Sequence, residues 1–163
     1  MVHWLAILQL VVLLALANGV PVIAKRVLGA RFAYPLDGGA RFRDGRPWLG
    51  PSKTIRGILL SIVVTSLGAP LVGLGVGVGL LVGSLAMLGD LCSSFVKRRL
   101  RLASSDRATG LDQIPEALFP SLACWAVLPL SGADVAAAVA IFFVGEIVLS
   151  RLLYRLRIRD RPY

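Results

Sequence analysis

From Gly57 to Gly89 the chain carries no charged residue. A membrane-spanning helix takes about 20 residues, so this run is either one overlong span or a tight helical hairpin turning near Gly68-Ala69-Pro70. Parity decides between them. One crossing would put the basic loop at 25–54 and the cations at 97–107 on opposite faces of the membrane, whereas two crossings put them on the same face. Two spans are therefore expected, the second continuing past Asp90 to about Arg101. The glycines at 75, 79 and 83 are spaced to let helices approach closely. The chain is 56% hydrophobic with mean hydropathy +0.78, an excess that needs lipid.

The remaining apolar segments complete an all-α integral membrane protein of five transmembrane helices, with spans at about 4–24, 55–70, 72–101, 115–131 and 134–153. Residues 1–163 then read as a single membrane-embedded domain. The first span follows a start, Met1 to Trp4, without Lys or Arg, so it is expected to be an uncleaved helix rather than a signal peptide. Cys92 and Cys124 are too few and too separated for a disulfide framework or a metal motif. All 18 cations fall in three groups, Lys25–Arg56, Lys97–Arg107 and Arg151–Arg161. Five spans place the three groups on one side, which puts the N-terminus outside, the C-terminus in the cytoplasm and the protein in the cell membrane. The net charge of +9 is accounted for by this topology, so nucleic acid is not an expected partner.

The loop at 25–54 holds Gly38-Gly39, Asp44-Gly45 and Pro47 as turn signals, and a loop of this length usually serves a function. Lys53 and Thr54 begin a helix, whose free N–H groups suit an anion. Ser52 and Pro47 stand where a Walker A loop needs glycine, so that motif is excluded. On the third helix Asp90, Ser94, Lys97 and Arg101 share one face. Asp90 can offer Mg²⁺ a hard oxygen, and Lys97, Arg98 and Arg99 can neutralise phosphate. The one histidine, His3, falls at the outer end, away from any cytoplasmic site. Attack by a phosphate monoester needs no strong base, because it is largely dianionic at neutral pH.

Taken together, Asn18, Asp37-Gly38-Gly39, Asp44-Gly45-Arg46-Pro47, Lys53-Thr54-x-Arg56-Gly57, Gly89-Asp90-x-x-x-Ser94-Phe95-x-Lys97-Arg98-Arg99 and Leu111-Asp112-Gln113 resemble the CDP-archaeol synthase family. The chain also looks like a shortened phosphatidate cytidylyltransferase, matched at Ser94, Lys97 and Arg98 and echoed from Ser52 to Gly57. The His-Gly-Gly segment of the phosphatidate enzymes is replaced by Ala108-Thr109-Gly110, which favours the archaeal-type branch. The resemblance implies a Mg²⁺-dependent cytidylyltransferase that transfers CMP from CTP to an unsaturated ether-lipid phosphate, with release of pyrophosphate. It implies that Asp90 and Asp112 hold the metal and that Lys97 acts beside them. By the same resemblance Lys53, Thr54, Ser94 and Arg98 contact nucleotide or lipid phosphate, and Asn18, Asp37 and Asp44 line the cavity.

Three other readings compete with this one. A cytidylyltransferase acting on phosphatidate or another lipid phosphate would share the motifs. CDP-alcohol phosphotransferases have a D-G-x-x-A-R pattern that Asp37 to Arg41 match faintly, but the further spaced acids are missing after Gly50. A small transporter or structural membrane protein would place polar groups mid-membrane in repeated, broken helices, whereas most acids here sit at helix ends.

Overall fold

A computed structural model of the chain describes residues 2–103, 106 and 108–157. Arg107 and the tail arginines Arg159 and Arg161, assigned above to the cytoplasmic cation groups, lie outside these residues. The described chain forms five α-helices: α1 (Trp4–Leu28), α2 (Ile55–Gly68), α3 (Val76–Arg99), α4 (Gln113–Cys124) and α5 (Gly132–Arg155). A 3₁₀ turn over Ala69–Val72 extends α2. Among the described residues four segments are long and apolar enough to cross a membrane, namely α1, Ile55–Val72, α3 and α5.

The 12-residue α4 is too short to span alone, at about 1.5 Å per residue against the roughly 20 residues a crossing takes. Its position nevertheless carries the chain from one end of the bundle to the other. At one end His3 donates its backbone N–H to Asp134 Oδ1 over 3.1 Å, and its ring nitrogen lies 2.9 Å from Asp134 Oδ2, which joins the starts of α1 and α5. Gln9 donates to the Val72 carbonyl at 2.7 Å, adding the α2–α3 turn to that end. At the opposite end Lys97 on α3 pairs with Asp112, just before α4. The chain therefore leaves one end at Asp112 and reaches the other by Ser131, through α4 and the irregular segment 125–130.

Local sequence explains the ends of these helices. Thr54 is extended and its hydroxyl accepts from Gly57 N–H at 3.1 Å, capping α2. Ser131 and Asp134 form a reciprocal capping box at the start of α5. Ile7, Leu10, Leu13, Leu14 and Ala17 of α1 are fully buried at helical spacing, whereas Leu5, Leu8 and Val12 face outward. Leu59, Val63 and Leu67 of α2, and Val144, Val148 and Leu152 of α5, also face outward, as suits lipid contact.

The expected glycine packing is found at two of the three positions. A Cβ on Gly79 would overlap the Thr65 carbonyl and Ser66 of α2, and one on Gly83 would crowd Ile62, but Gly75 has open space around it. Gly75 caps α3 rather than packing within it. A further contact is not expected from the sequence: a Cβ on Gly89 would run into the backbone of Pro115 and Glu116, so α4 lies directly on α3 there. Cys92 and Cys124 are free thiols.

Candidate active site

The junction of α3 and α4 brings together charges that are far apart in sequence. Lys53 Nζ donates to both carboxylate oxygens of Asp90, at 2.6 and 2.5 Å. Lys97 Nζ lies 2.6 Å from Asp112 Oδ1 and donates to the Asp106 carbonyl at 3.4 Å. Burial opposes the charged form of Lys53, but the carboxylate of Asp90 outweighs it, with help from Glu116 and Asp112, and holds the ammonium above its ordinary value. Ser94 is buried one turn beyond Asp90 on α3.

Sequence reasoning missed Glu116. It is buried on α4, where its side chain meets Asp90, and Glu146 of α5 is close enough to interact with it electrostatically. The available signal was its spacing of four from Asp112, which puts both acids on one helical face. What hid it was its partner on a different helix.

The loop 29–54 is folded rather than formless. Isolated antiparallel bridges join Pro35 to Thr54 and Arg41 to Pro47. Asp37 accepts from the N–H groups of Gly39, Leu49 and Gly50 at 3.1, 2.9 and 3.0 Å. Burial works against the Asp37 carboxylate, yet the donors from Gly50, Leu49 and Gly39 prevail and hold the carboxyl below its ordinary value. Asp44 accepts from Arg46 N–H at 3.0 Å and from Arg99 Nη1 at 2.8 Å. Both acids thus organise the loop, and their carboxylates are engaged with protein donors.

Arg99, expected to neutralise phosphate, instead fastens this loop to α3. Besides Asp44 it donates to the Pro47 carbonyl at 2.6 Å, and its guanidinium lies 4.6 Å from the Phe42 ring centroid and 5.0 Å from that of Phe95. Trp48 completes the aromatic cluster against Phe42 and Phe95. Arg101 does not share the helical face of Asp90, because α3 ends at Arg99 and Arg101 takes φ 67°. Thr54 spends its hydroxyl on capping α2. Asn18 donates to the Leu14 carbonyl of its own helix at 3.1 Å.

Among the described residues no three acid, histidine or cysteine side chains gather as a metal cage. Mg²⁺ is generally held by one or two carboxylates together with phosphate oxygens and water. Asp90 already collects a cation, the Lys53 ammonium, with Glu116 against it, so hard oxygen donors stand where a divalent cation would fit.

The family described as CarS-like, CDP-archaeol synthase, matches residues 4–163. The chain is 37% identical over 158 residues to a CDP-archaeol synthase of Hyperthermus butylicus, covering 90% of this chain and 89% of that one. It is 37% identical over 135 residues to a CDP-archaeol synthase of Sulfurisphaera tokodaii, covering 79% and 81%. Its fold is similar to a solved structure described as an intramembrane enzyme for archaeal membrane lipids biosynthesis, with TM-score 0.70 and 27% identity over 85% of this chain and 90% of that chain. With helices fit to span a membrane and a charged site at one end of the bundle, the chain belongs to the CDP-archaeol synthase family of membrane nucleotidyltransferases.

Proposed function

We propose that residues 1–163 act as one membrane-embedded cytidylyltransferase domain that transfers CMP from CTP to an ether-lipid phosphate of the unsaturated archaetidic acid type, 2,3-bis-O-geranylgeranylglycerol 1-phosphate. The products are the CDP-lipid, CDP-archaeol, and pyrophosphate. The observation that carries this reading is the convergence of Lys53–Asp90 and Lys97–Asp112, two ion pairs joining the basic loop, α3 and the start of α4.

In the reaction a phosphate oxygen of the lipid attacks the α-phosphorus of CTP. A new P–O–P bond forms, and the bond from the α-phosphorus to the α,β-bridging oxygen breaks, so pyrophosphate leaves with that electron pair. A largely dianionic monoester needs no side chain to remove a proton. Lys53 and Lys97 would neutralise phosphate oxygens, with Ser94 and Arg98 along the same segment of α3. Asp90 and Asp112 would hold Mg²⁺, which when bound supplies charge neutralisation on the triphosphate.

Five crossings of the cell membrane are supported by the return of the chain between Asp112 and Ser131. With the cation-rich end in the cytoplasm, the site faces CTP, the N-terminus is outside and the C-terminus is cytoplasmic. The test is release of pyrophosphate by the protein in detergent or liposomes, with CTP and a panel of ether- and ester-lipid phosphates. Release dependent on CTP and the unsaturated ether lipid supports the reading. Equal or better use of phosphatidate would move the acceptor assignment, and no lipid-stimulated release with any acceptor would sink the function.

A further inference from the structure

The turn that follows α1 sets a bulky side chain where the backbone disfavours one. Ala33 N–H donates to the Ala30 carbonyl at 3.3 Å, closing a β-turn whose third residue is Phe32, at φ 56°. A left-handed third position normally goes to glycine or asparagine, because a bulky side chain is strained there. The ring gains little packing in return, since Phe32 is 69% exposed. Tyr34, two residues on, is 68% exposed. Two large aromatic groups left open on a strained turn call for a partner outside the chain.

The fold places this turn at the rim of the lipid-facing surface. Arg56, in the first turn of α2, donates Nη1 to the Gly29 carbonyl at 3.2 Å and also to the Arg31 carbonyl. Ile55 N–H donates to the Tyr34 carbonyl at 3.0 Å, and Leu36 N–H to the Lys53 carbonyl at 2.8 Å. Tyr34 is therefore held beside Ile55, where the outward stripe Ile55, Leu59, Val63 and Leu67 of α2 begins. Val27, in the last turn of α1, is exposed as well. Aromatic side chains are favoured at this level, where apolar tails give way to headgroups and water. The charge agrees: from Lys25 to Leu36 the chain holds three cations and no acid, and Arg26 and Arg31 are exposed. The next acid, Asp37, is turned to the N–H groups of Leu49 and Gly50.

We propose that the segment Gly29–Leu36 is a membrane-surface anchor for anionic lipid. Phe32 and Tyr34 enter the headgroup layer of the leaflet at the Lys53 end of the bundle, and Arg26 and Arg31 hold the phosphates of anionic lipids there. A second copy of the chain is a poorer occupant, because a two-fold contact would set this basic patch against its own counterpart. An anionic leaflet suits both the rings and the charges. The anchor concerns the bulk lipid around the protein and stands apart from the CMP transfer proposed above.

The experiment puts a tryptophan reporter into the full-length protein in liposomes, as Phe32→Trp and separately as Tyr34→Trp. Arg43→Trp, at an exposed position of the hairpin between Arg41 and Pro47, is the control, and the wild-type emission of Trp4, Trp48 and Trp125 is subtracted. The liposomes are phosphatidylcholine at low ionic strength, with either phosphatidylcholine or phosphatidylglycerol brominated near the headgroup end of its acyl chains. Emission at 32 and 34 is expected to be quenched well beyond that at 43, and more by phosphatidylglycerol than by phosphatidylcholine. Arg31→Gln should lower that preference about fivefold, the effect of one cation close to an anionic surface. Quenching at 32 and 34 no stronger than at 43 would overturn the anchor, and equal quenching by the two lipids would overturn its charge selectivity. Blue-shifted emission that neither lipid quenches, and that is lost on dilution into excess lipid, would give this surface to a second copy of the chain and overturn the proposal. No nucleotide is present, so the result is independent of whether CMP transfer is detected.

Discussion

The ammonium of Lys53 is held 2.6 and 2.5 Å from the two carboxylate oxygens of Asp90, a pair separated by 37 positions in the chain. Removing one partner leaves the other charge in a partly buried site. Asp90→Asn and Lys53→Met are each expected to lower CTP-dependent pyrophosphate release by about 10²-fold or more, the scale for losing a preorganised electrostatic contact to the reacting group. Membrane insertion should be retained. Near-wild-type turnover in Asp90→Asn would remove it from the site.

Glu116 gives a second expectation. Its side chain lies against Asp90, so on the proposal that Asp90 holds Mg²⁺, Glu116 would support the metal from α4. Glu116→Gln is expected to raise the Mg²⁺ concentration for half-maximal activity by about tenfold, the lower end of the range for losing a group that orients a metal ligand. Activity at saturating Mg²⁺ should fall much less. An unchanged Mg²⁺ titration would assign Glu116 to packing alone.

The difference between Glu116 and Asp90 shows what is legible in the amino-acid order. Asp90 interrupts a long uncharged run, so its cost in a membrane points to a partner from the sequence alone. Glu116 stands only four positions after Asp112, and nothing in that local spacing indicates that α4 rests on Gly89 and presents the acid to Asp90. The basic run from Lys97 to Arg99 reads in sequence as one phosphate-binding unit. In the fold its members separate: Lys97 takes Asp112, Arg98 lines a cavity and Arg99 clamps the loop. These assignments depend on how residues 29–54 fold back over α3, which no local pattern specifies. Helices are legible because lipid exposure and core contact demand long apolar segments; the shortness of α4 is not, because the apolar run from Ala117 to Leu130 includes the irregular segment after Cys124.

Arg99 makes its contacts through both the fork of its guanidinium and its flat face, using Asp44, Pro47, Phe42 and Phe95. Lysine can replace the charge but not that geometry. Arg99→Lys and Arg99→Ala are therefore both expected to loosen the loop, with faster limited proteolysis between residues 41 and 48. The KM for CTP should rise by more than kcat falls. A fully rescued lysine variant would show that only charge is needed.

The loop should also respond to acid through Asp37. Its carboxyl is held below the ordinary value of 3.8 in the folded chain. The stability it contributes is present above the unfolded value and is lost as pH falls through the lower folded value. Proteolytic sensitivity of residues 29–54 is expected to rise as pH drops below about 4. Asp37→Asn should be sensitive already at neutral pH, with a weaker change on acidification. A variant loop as resistant as wild type at neutral pH would contradict this role.

Finally, the packing of α2 on α3 can be separated from the chemistry at the other end of the bundle. Gly79 lies against the Thr65 carbonyl, Ser66 and Ala69, where even a Cβ would force the two backbones apart. Gly75, four residues earlier, has open space around the same substitution. Gly79→Leu is expected to lower the detergent-measured Tm, since overpacking a close contact costs about 1–3 kcal/mol and a leucine here exceeds what side-chain adjustment can absorb. Gly75→Ala should leave Tm almost unchanged. If the bundle tolerated Gly79→Leu as well as Gly75→Ala, the α2–α3 contact could not be as close as these positions require, and the hairpin that carries Asp90 to the Lys53 end would need a different packing.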